Sequence, residues 1–211
     1  PYTEIVYDGS NDKYISSSTY PDLPEYPKGT SGLVSAFKVN KDTYAWTSTG
    51  FKIADQDDLV IYEMHFRDFT STGDIPGALG KLDYLSSLGV NAVELMPVQE
   101  FDGNDSWGYN PCSYFALDKA YGTRKMYKQF IDECHAKGMA VIVDVVYNQA
   151  TGAHPYAKLY WDSANNKTAS NNPWFNVDAP HPYSVFHDWN HEYMPFREHV
   201  KESLNYLMDE Y

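Results

Sequence analysis

Basic residues are scarce in this sequence. Sixteen lysines and arginines stand against 29 aspartates and glutamates, a formal net charge of -13 over 211 residues. A phosphate backbone wants a basic surface, so nucleic acid is not the expected partner. Long apolar runs are also missing. No stretch approaches the roughly 20 residues that a helical membrane span needs, so no membrane partner is expected. Only two cysteines are present, Cys112 and Cys134. Two free thiols is the simpler reading and a single bridge the other, and neither fixes a compartment. No basic and apolar leader is visible in PYTEIVYDGS, and the first residue is not Met. A processed chain or a piece of a longer one is therefore expected.

What is present is a normal share of hydrophobic residues, 43%, which suffices for one domain, or one and a part. Aromatic residues reach 16%, with 19 Tyr and 5 Trp. Flat aromatic faces suit the apolar faces of pyranose rings. Aromatic packing in a core is the simpler alternative. Residues 1–58 carry Ser, Thr, Pro and Gly punctuation, with short strand candidates over 32–39 and 43–47. They read as the end of a β-rich module and a linker.

From residue 59 the texture changes. LVIYEMHF predicts a strand. Ile75, Leu79, Leu82, Leu85 and Leu88 predict a helix over 75–88, stopped by Gly89. A strand over 91–96 follows, then a long loop, then a helix over 124–137 stopped by Gly138. The run AVIVDVV over 140–146 predicts a buried parallel strand, apolar on both faces. An irregular insertion occupies about 150–194. A last helix over 195–211 has Pro195 in its first turn and an apolar stripe of Val200, Leu204 and Leu207.

Strand and helix alternate three times, which predicts a parallel sheet with right-handed crossovers. A doubly wound nucleotide-binding sheet should show a glycine-rich turn after its first strand, and HFRDFTSTGD has none. Long loops after the strands favour a (β/α) barrel, of which three units are only a part. Asp144 falls inside the third strand. An unpaired carboxylate there would cost several kcal/mol, so a partner is required. Asn148 and Gln149 follow at the carboxyl end, where such folds bind ligands.

Five segments in order carry a resemblance. They are IYEMHFRDFT, LGVNAVELMPVQEF, SWGYNPCSYFALDKAYG, DVVYNQ and FREHVKESLNYLMDEY. Together they resemble the α-amylase family of glycoside hydrolases, with pullulanases and branching enzymes among the members most similar in these loops. The resemblance implies an α/β fold. Residues 59–211 would be the first three strand–helix units of a (β/α)8 TIM barrel, and residues 1–58 the end of a preceding β-sandwich-like module. It implies part of a retaining enzyme acting on α-1,4 or α-1,6 bonds of starch, glycogen or pullulan. The alternatives are a catalytically degenerate glucan-binding relative and a branching or transferase enzyme.

In this family the catalytic carboxylates follow barrel strands four, five and seven. None is expected in this chain, which is then inactive alone and needs the remainder of the barrel as a partner. Asp68, Asp102, Asp105 and Asp188 read as caps, turn formers or solvated charges. Tyr109 matches the tyrosine that stacks under the sugar at the cleavage position. Asp144 matches an aspartate that pairs with an arginine ahead of the nucleophile and so organises the site without touching the reacting atoms. Gln149 stands where the family usually has a histidine that donates a hydrogen bond to the sugar; its amide can donate but cannot carry charge. No cofactor is required. Asn148 matches a position that binds calcium in some relatives, with Asp162 and Asp178 as candidates to complete the site; structural hydrogen bonding is its other reading.

Overall fold

The computed structural model describes residues 2–39 and 43–211. Its centre is a parallel sheet of β3 (Ile61–Met64), β4 (Ala92–Leu95) and β5 (Ala140–Val143), in that order. Register partners run Glu63 to Glu94 to Ile142. Ahead of it lies a two-stranded antiparallel hairpin, β1 (Ile5–Asp8) with β2 (Leu33–Ala36). β2 falls within the expected 32–39 segment; β1 was not anticipated. The expected strand over 43–47 is absent. Its ladder hydrogen bonds go elsewhere, because the Thr47 and Ser48 amides both donate to the Asp132 carboxylate.

The first helix differs from the single span expected over 75–88. It is two short helices, α2 (Ile75–Leu79) and α3 (Leu82–Ser87), after a single turn α1 (Phe66–Phe69). Gly77 and Gly80 lower helix propensity at the break. The apolar spacing survives it, since Ile75, Ala78, Leu82 and Leu85 are all fully buried. Leu88 turns outward, because the chain reverses at Gly89 with φ +78°. α4 (Arg124–Ala136) starts where the Thr123 side chain accepts from Met126 N and stops before Gly138 at φ +74°. These helices cover one face of the sheet, burying Met64, Val93 and Leu95 with Phe66, Phe130 and Cys134. The opposite face is open, with Ile61 and Glu63 exposed. β5, at the sheet edge, is only half-buried beyond Ala140, not sealed on both faces as expected. β5 also ends at Val143, so Asp144 sits just past the strand, half-buried.

The insertion is less irregular than expected. It holds β6 (Gln149–Ala150) paired with β9 (His187–Asp188), α5 (Pro155–Leu159), and a small hairpin of β7 (Trp161–Asp162) and β8 (Lys167–Thr168). α6 (Met194–Glu210) closes the described chain. Its buried face is Phe196, Ser203 and Tyr206; Val200 and Leu207 are partly buried, and Leu204 is exposed, unlike the expected stripe. The reason is a second, aromatic core. Trp189 is sandwiched between Phe175 at 4.0 Å and Phe196 at 4.3 Å, and α6 rotates to serve it. Much of the aromatic excess is consumed here.

His199 stands in this core beside Tyr114, Phe115, His154 and Tyr156, its Nε2 without a hydrogen-bond partner among the described residues. Burial pushes its pKa down from 6.5 to about 4, and pushes that of His154 well down too. The unfolded chain therefore takes up protons on His199 at a pH where the folded chain does not. The stability held above pH 6.5 is lost as pH falls toward 4. Burial pushes the Asp118 carboxyl up, which acts in the opposite sense. The His199 share is thus read by difference. Urea unfolding of His199→Phe should lose about 2 kcal/mol less than the parent over that interval.

Candidate functional site

The carboxyl ends of β3, β4 and β5 carry three adjacent loops, and the candidate residues gather there. The loop after β4 turns at Gly108, with φ +90°. A Cβ at this position would lie 2.2 Å from the Pro97 carbonyl oxygen, so only glycine fits. Ser106 Oγ accepts from Gly108 N at 2.9 Å, and Asn110 Nδ2 donates to the Asp102 carbonyl at 3.0 Å. This tight turn projects Tyr109, with 38% of its surface exposed.

Tyr109 is held at both ends. Its hydroxyl donates to Asp144 Oδ2 at 2.8 Å, and its carbonyl accepts from Gln149 Nε2 at 2.8 Å. Burial, and then the hydrogen bond to Asp144, push its pKa up to about 12, so the phenol stays protonated and donating. Asp144 in turn is placed by its own amide, which donates to the Leu95 carbonyl at 3.0 Å. Gln149 is buried. Its Oε1 accepts from Asn148 Nδ2 at 2.7 Å, and its backbone carbonyl accepts from the Tyr114 hydroxyl at 2.9 Å. That hydroxyl takes a hydrogen bond from Trp189 Nε1. The aromatic core therefore braces the end of the DVVYNQ segment.

The structure thus brings together Tyr109, Asp144, Gln149 and Asn148. Asn148 is exposed. Among the described residues no three His, Cys, Asp or Glu side chains converge to hold a metal ion. Asp162 spends both carboxylate oxygens on its own turn, through Ala164 N and Asn165. A calcium ion at Asn148 would have to draw on carbonyls and water.

Three other acids near this face, Asp68, Asp105 and Asp188, are engaged. Arg67 and His65 hold the Asp68 carboxyl down at about 2, and Arg67 also pairs with Asp105 at 2.5 Å. Asp188 accepts from Asn176 and meets His181 Nε2 at 2.9 Å. His65 is buried, its Nε2 2.8 Å from the Tyr121 hydroxyl. Two further groups escaped the sequence reading. Gly108 was visible only as part of a motif, and its steric necessity needs Pro97 beside it. Lys119 is buried against Glu100 at 2.5 Å and Asp12 at 3.3 Å. A lysine inside the apolar text YFALDKAY was the available signal.

Comparison with known proteins shows the family of this chain. The family described as alpha amylase, catalytic domain, matches residues 47–205. The chain is 36% identical over 163 residues to a malto-oligosyltrehalose trehalohydrolase of Rhizobium sp. strain M-11, covering 76% of this chain and 27% of that protein. It is 29% identical over 200 residues to the alpha-amylase MalA of Haloarcula japonica, covering 87% and 28%. It spans about a quarter of the length of these relatives. Among solved structures, one described as an alpha amylase of Salmonella typhimurium superposes with a TM-score of 0.71 at 31% identity, covering 83% of this chain and 28% of that one. A cyclic maltosyl-maltose hydrolase of Arthrobacter globiformis, 24% identical with a TM-score of 0.60, covers 72% and 42% and shares the fold. With most of its length matched by the catalytic-domain family and its strand ends built as described, this chain belongs to the α-amylase family.

Proposed function

We propose that this chain supplies a substrate-binding share of a retaining glycoside hydrolase acting on α-1,4 or α-1,6 glucans. One observation carries the reading: an exposed tyrosine ring, clamped at its hydroxyl by Asp144 and at its carbonyl by Gln149, faces out from the strand ends. A ring fixed in this way stacks on a pyranose at little entropic cost. Asp144 and Gln149 act through Tyr109 by positioning it. The open face of the sheet, with Glu63 and Glu94 in register, is the surface that the remainder of a barrel would cover.

The same chemistry argues that the chain alone cleaves nothing. A retaining pair needs one ionised carboxylate and one carboxylic acid held protonated, about 5 Å apart. Asp68 is locked ionised by Arg67, and burial pushes Glu100 and Asp118 up, but only around Lys119. A catalytically degenerate glucan-binding relative is the second reading. It is favoured by Gln149, whose amide is turned inward onto Tyr109 where the family has a histidine directed at the sugar.

The test is titration with maltohexaose, followed on the indole signal of the exposed Trp107 two residues away. Tyr109→Ala should weaken this binding about tenfold, while Tyr109→Phe, which keeps the ring, should lose much less. Unchanged affinity in Tyr109→Ala would remove the stacking role. Release of reducing sugar from starch or pullulan by the purified chain would overturn its inactivity.

A further inference from the structure

A large cleft lies away from Tyr109, between the β1–β2 hairpin, the loop after β4, and α5. Its volume is about 1020 Å³. Small-molecule sites run to roughly 300–1,000 Å³, so this one is large enough for an extended ligand. Its chemistry is specific. The Tyr26 ring lies flat over Gly9, where an added Cβ would sit 3.1 Å from the ring. The Tyr26 hydroxyl is tied to the Gly32 carbonyl at 2.8 Å. The ring is therefore fixed and half-buried, one face on glycine. Phe115, Ser35, Ser113 and Asp102 line the cleft as well.

The charge balance limits the occupant. Among the described residues no arginine lines the cleft, and Lys158 is the one lysine that does, with Nζ drawn over the Trp161 ring at 5.0 Å. Burial holds His154 and His199 in the lining uncharged. A phosphate or other anion would meet the carboxylates of Asp8 and Asp102, with Lys158 alone among the described lining residues to offset them. A neutral ligand with many hydroxyls meets a fixed ring and several acceptors. The wall formed by Cys112–Phe115 belongs to the loop that carries Tyr109, so the cleft and the tyrosine share one rigid segment.

We infer that this cleft is a second binding site, for a neutral oligosaccharide chain, separate from the Tyr109 face. The cleft contains none of Tyr109, Asp144 or Gln149, so the inference does not depend on the proposed function. Only the choice of an α-glucan as first probe rests on that reading.

The test is calorimetric titration of the whole chain with maltohexaose, cellohexaose and inorganic phosphate in turn. Two variants address the cleft. Tyr26→Ala removes the ring from an irregular, half-buried segment, and Ser35→Trp fills the space from an exposed strand position that tolerates an aromatic residue. The parent should bind two equivalents of maltohexaose. Tyr109→Ala should keep the cleft equivalent. Tyr26→Ala should weaken it roughly tenfold, and Ser35→Trp should abolish it while the Trp107 response persists. Binding of cellohexaose in place of maltohexaose, lost in Ser35→Trp, would support the cleft and remove the α-glucan class. One equivalent that disappears in Tyr109→Ala and is untouched in Ser35→Trp would overturn the inference while leaving the proposed function intact. Phosphate binding that Ser35→Trp abolishes would overturn the neutral-ligand assignment, and no sugar binding by the parent would overturn both readings.

Discussion

Gly108→Ala should abolish maltohexaose binding at the Tyr109 face and cost roughly 3 kcal/mol or more of stability. The added methyl carbon would fall 2.2 Å from the Pro97 oxygen, 2.7 Å from its Cβ and 2.9 Å from its carbonyl carbon. Two of these are backbone atoms of Pro97, two residues past β4, and the third belongs to its ring, so no side chain can swing aside. The φ of +90° adds strain of its own. Relief requires the turn to move, and Tyr109 is the next residue, so its hydrogen bonds to Asp144 and Gln149 break together. A control separates sterics from conformation. Gly103 has φ +85° in the same loop, with nothing within 4 Å of its added Cβ. Gly103→Ala should cost only about 1 kcal/mol and leave binding in place. Equal effects of the two substitutions, in urea unfolding and in the Trp107 titration, would show that Pro97 does not enforce the turn.

Lys119→Met should destabilise the chain by about 3–5 kcal/mol, because it strands buried carboxylates. Lys119 Nζ lies 2.5 Å from Glu100 Oε1 and 3.3 Å from Asp12 Oδ1, and all three side chains are at least nine-tenths buried. Burial opposes its charge, but the carboxylates of Glu100 and Asp118 outweigh burial and hold its pKa above the ordinary lysine value. Asp118 accepts from the Phe101 and Ala120 amides, and the Glu100 carbonyl accepts from Cys112 and Ser113. The cluster therefore fastens both ends of the loop that presents Tyr109, and Asp12 fastens the N-terminal segment to it. Adding Glu100→Gln to Lys119→Met should recover part of the loss, since it removes a charge that no longer has a partner. A double variant no more stable than the single one would remove this electrostatic account.

The strands of the sheet were legible because β-branched runs bounded by glycine and polar residues leave little choice. Their observed ends fall short of the expected ones by one to three residues. The glycines at 89 and 138 marked helix ends for a local reason, the positive φ each adopts. What stayed hidden was decided by contacts distant in sequence. The 43–47 segment lost its strand to Asp132, 85 residues away from Thr47. The buried face of α6 was set by Trp189 and its neighbours, and not by the aliphatic spacing of the helix itself. At the candidate site the residues themselves were legible from the motifs. The inward turn of Gln149 was not, because it depends on where the Tyr109 carbonyl lies.

That inward turn has a consequence for the conditions under which the chain works. The carboxamide of Gln149 does not titrate, so its grip on the Tyr109 carbonyl is the same in acid and at neutrality. The Tyr109 phenol, with its pKa near 12, adds no titration of its own in that range. A histidine turned inward at 149 in the same way would tie the same carbonyl to an imidazole whose proton comes and goes near pH 6.5. The glutamine thus keeps the tyrosine's backbone anchorage insensitive to acidity where an inward-turned histidine would make it responsive.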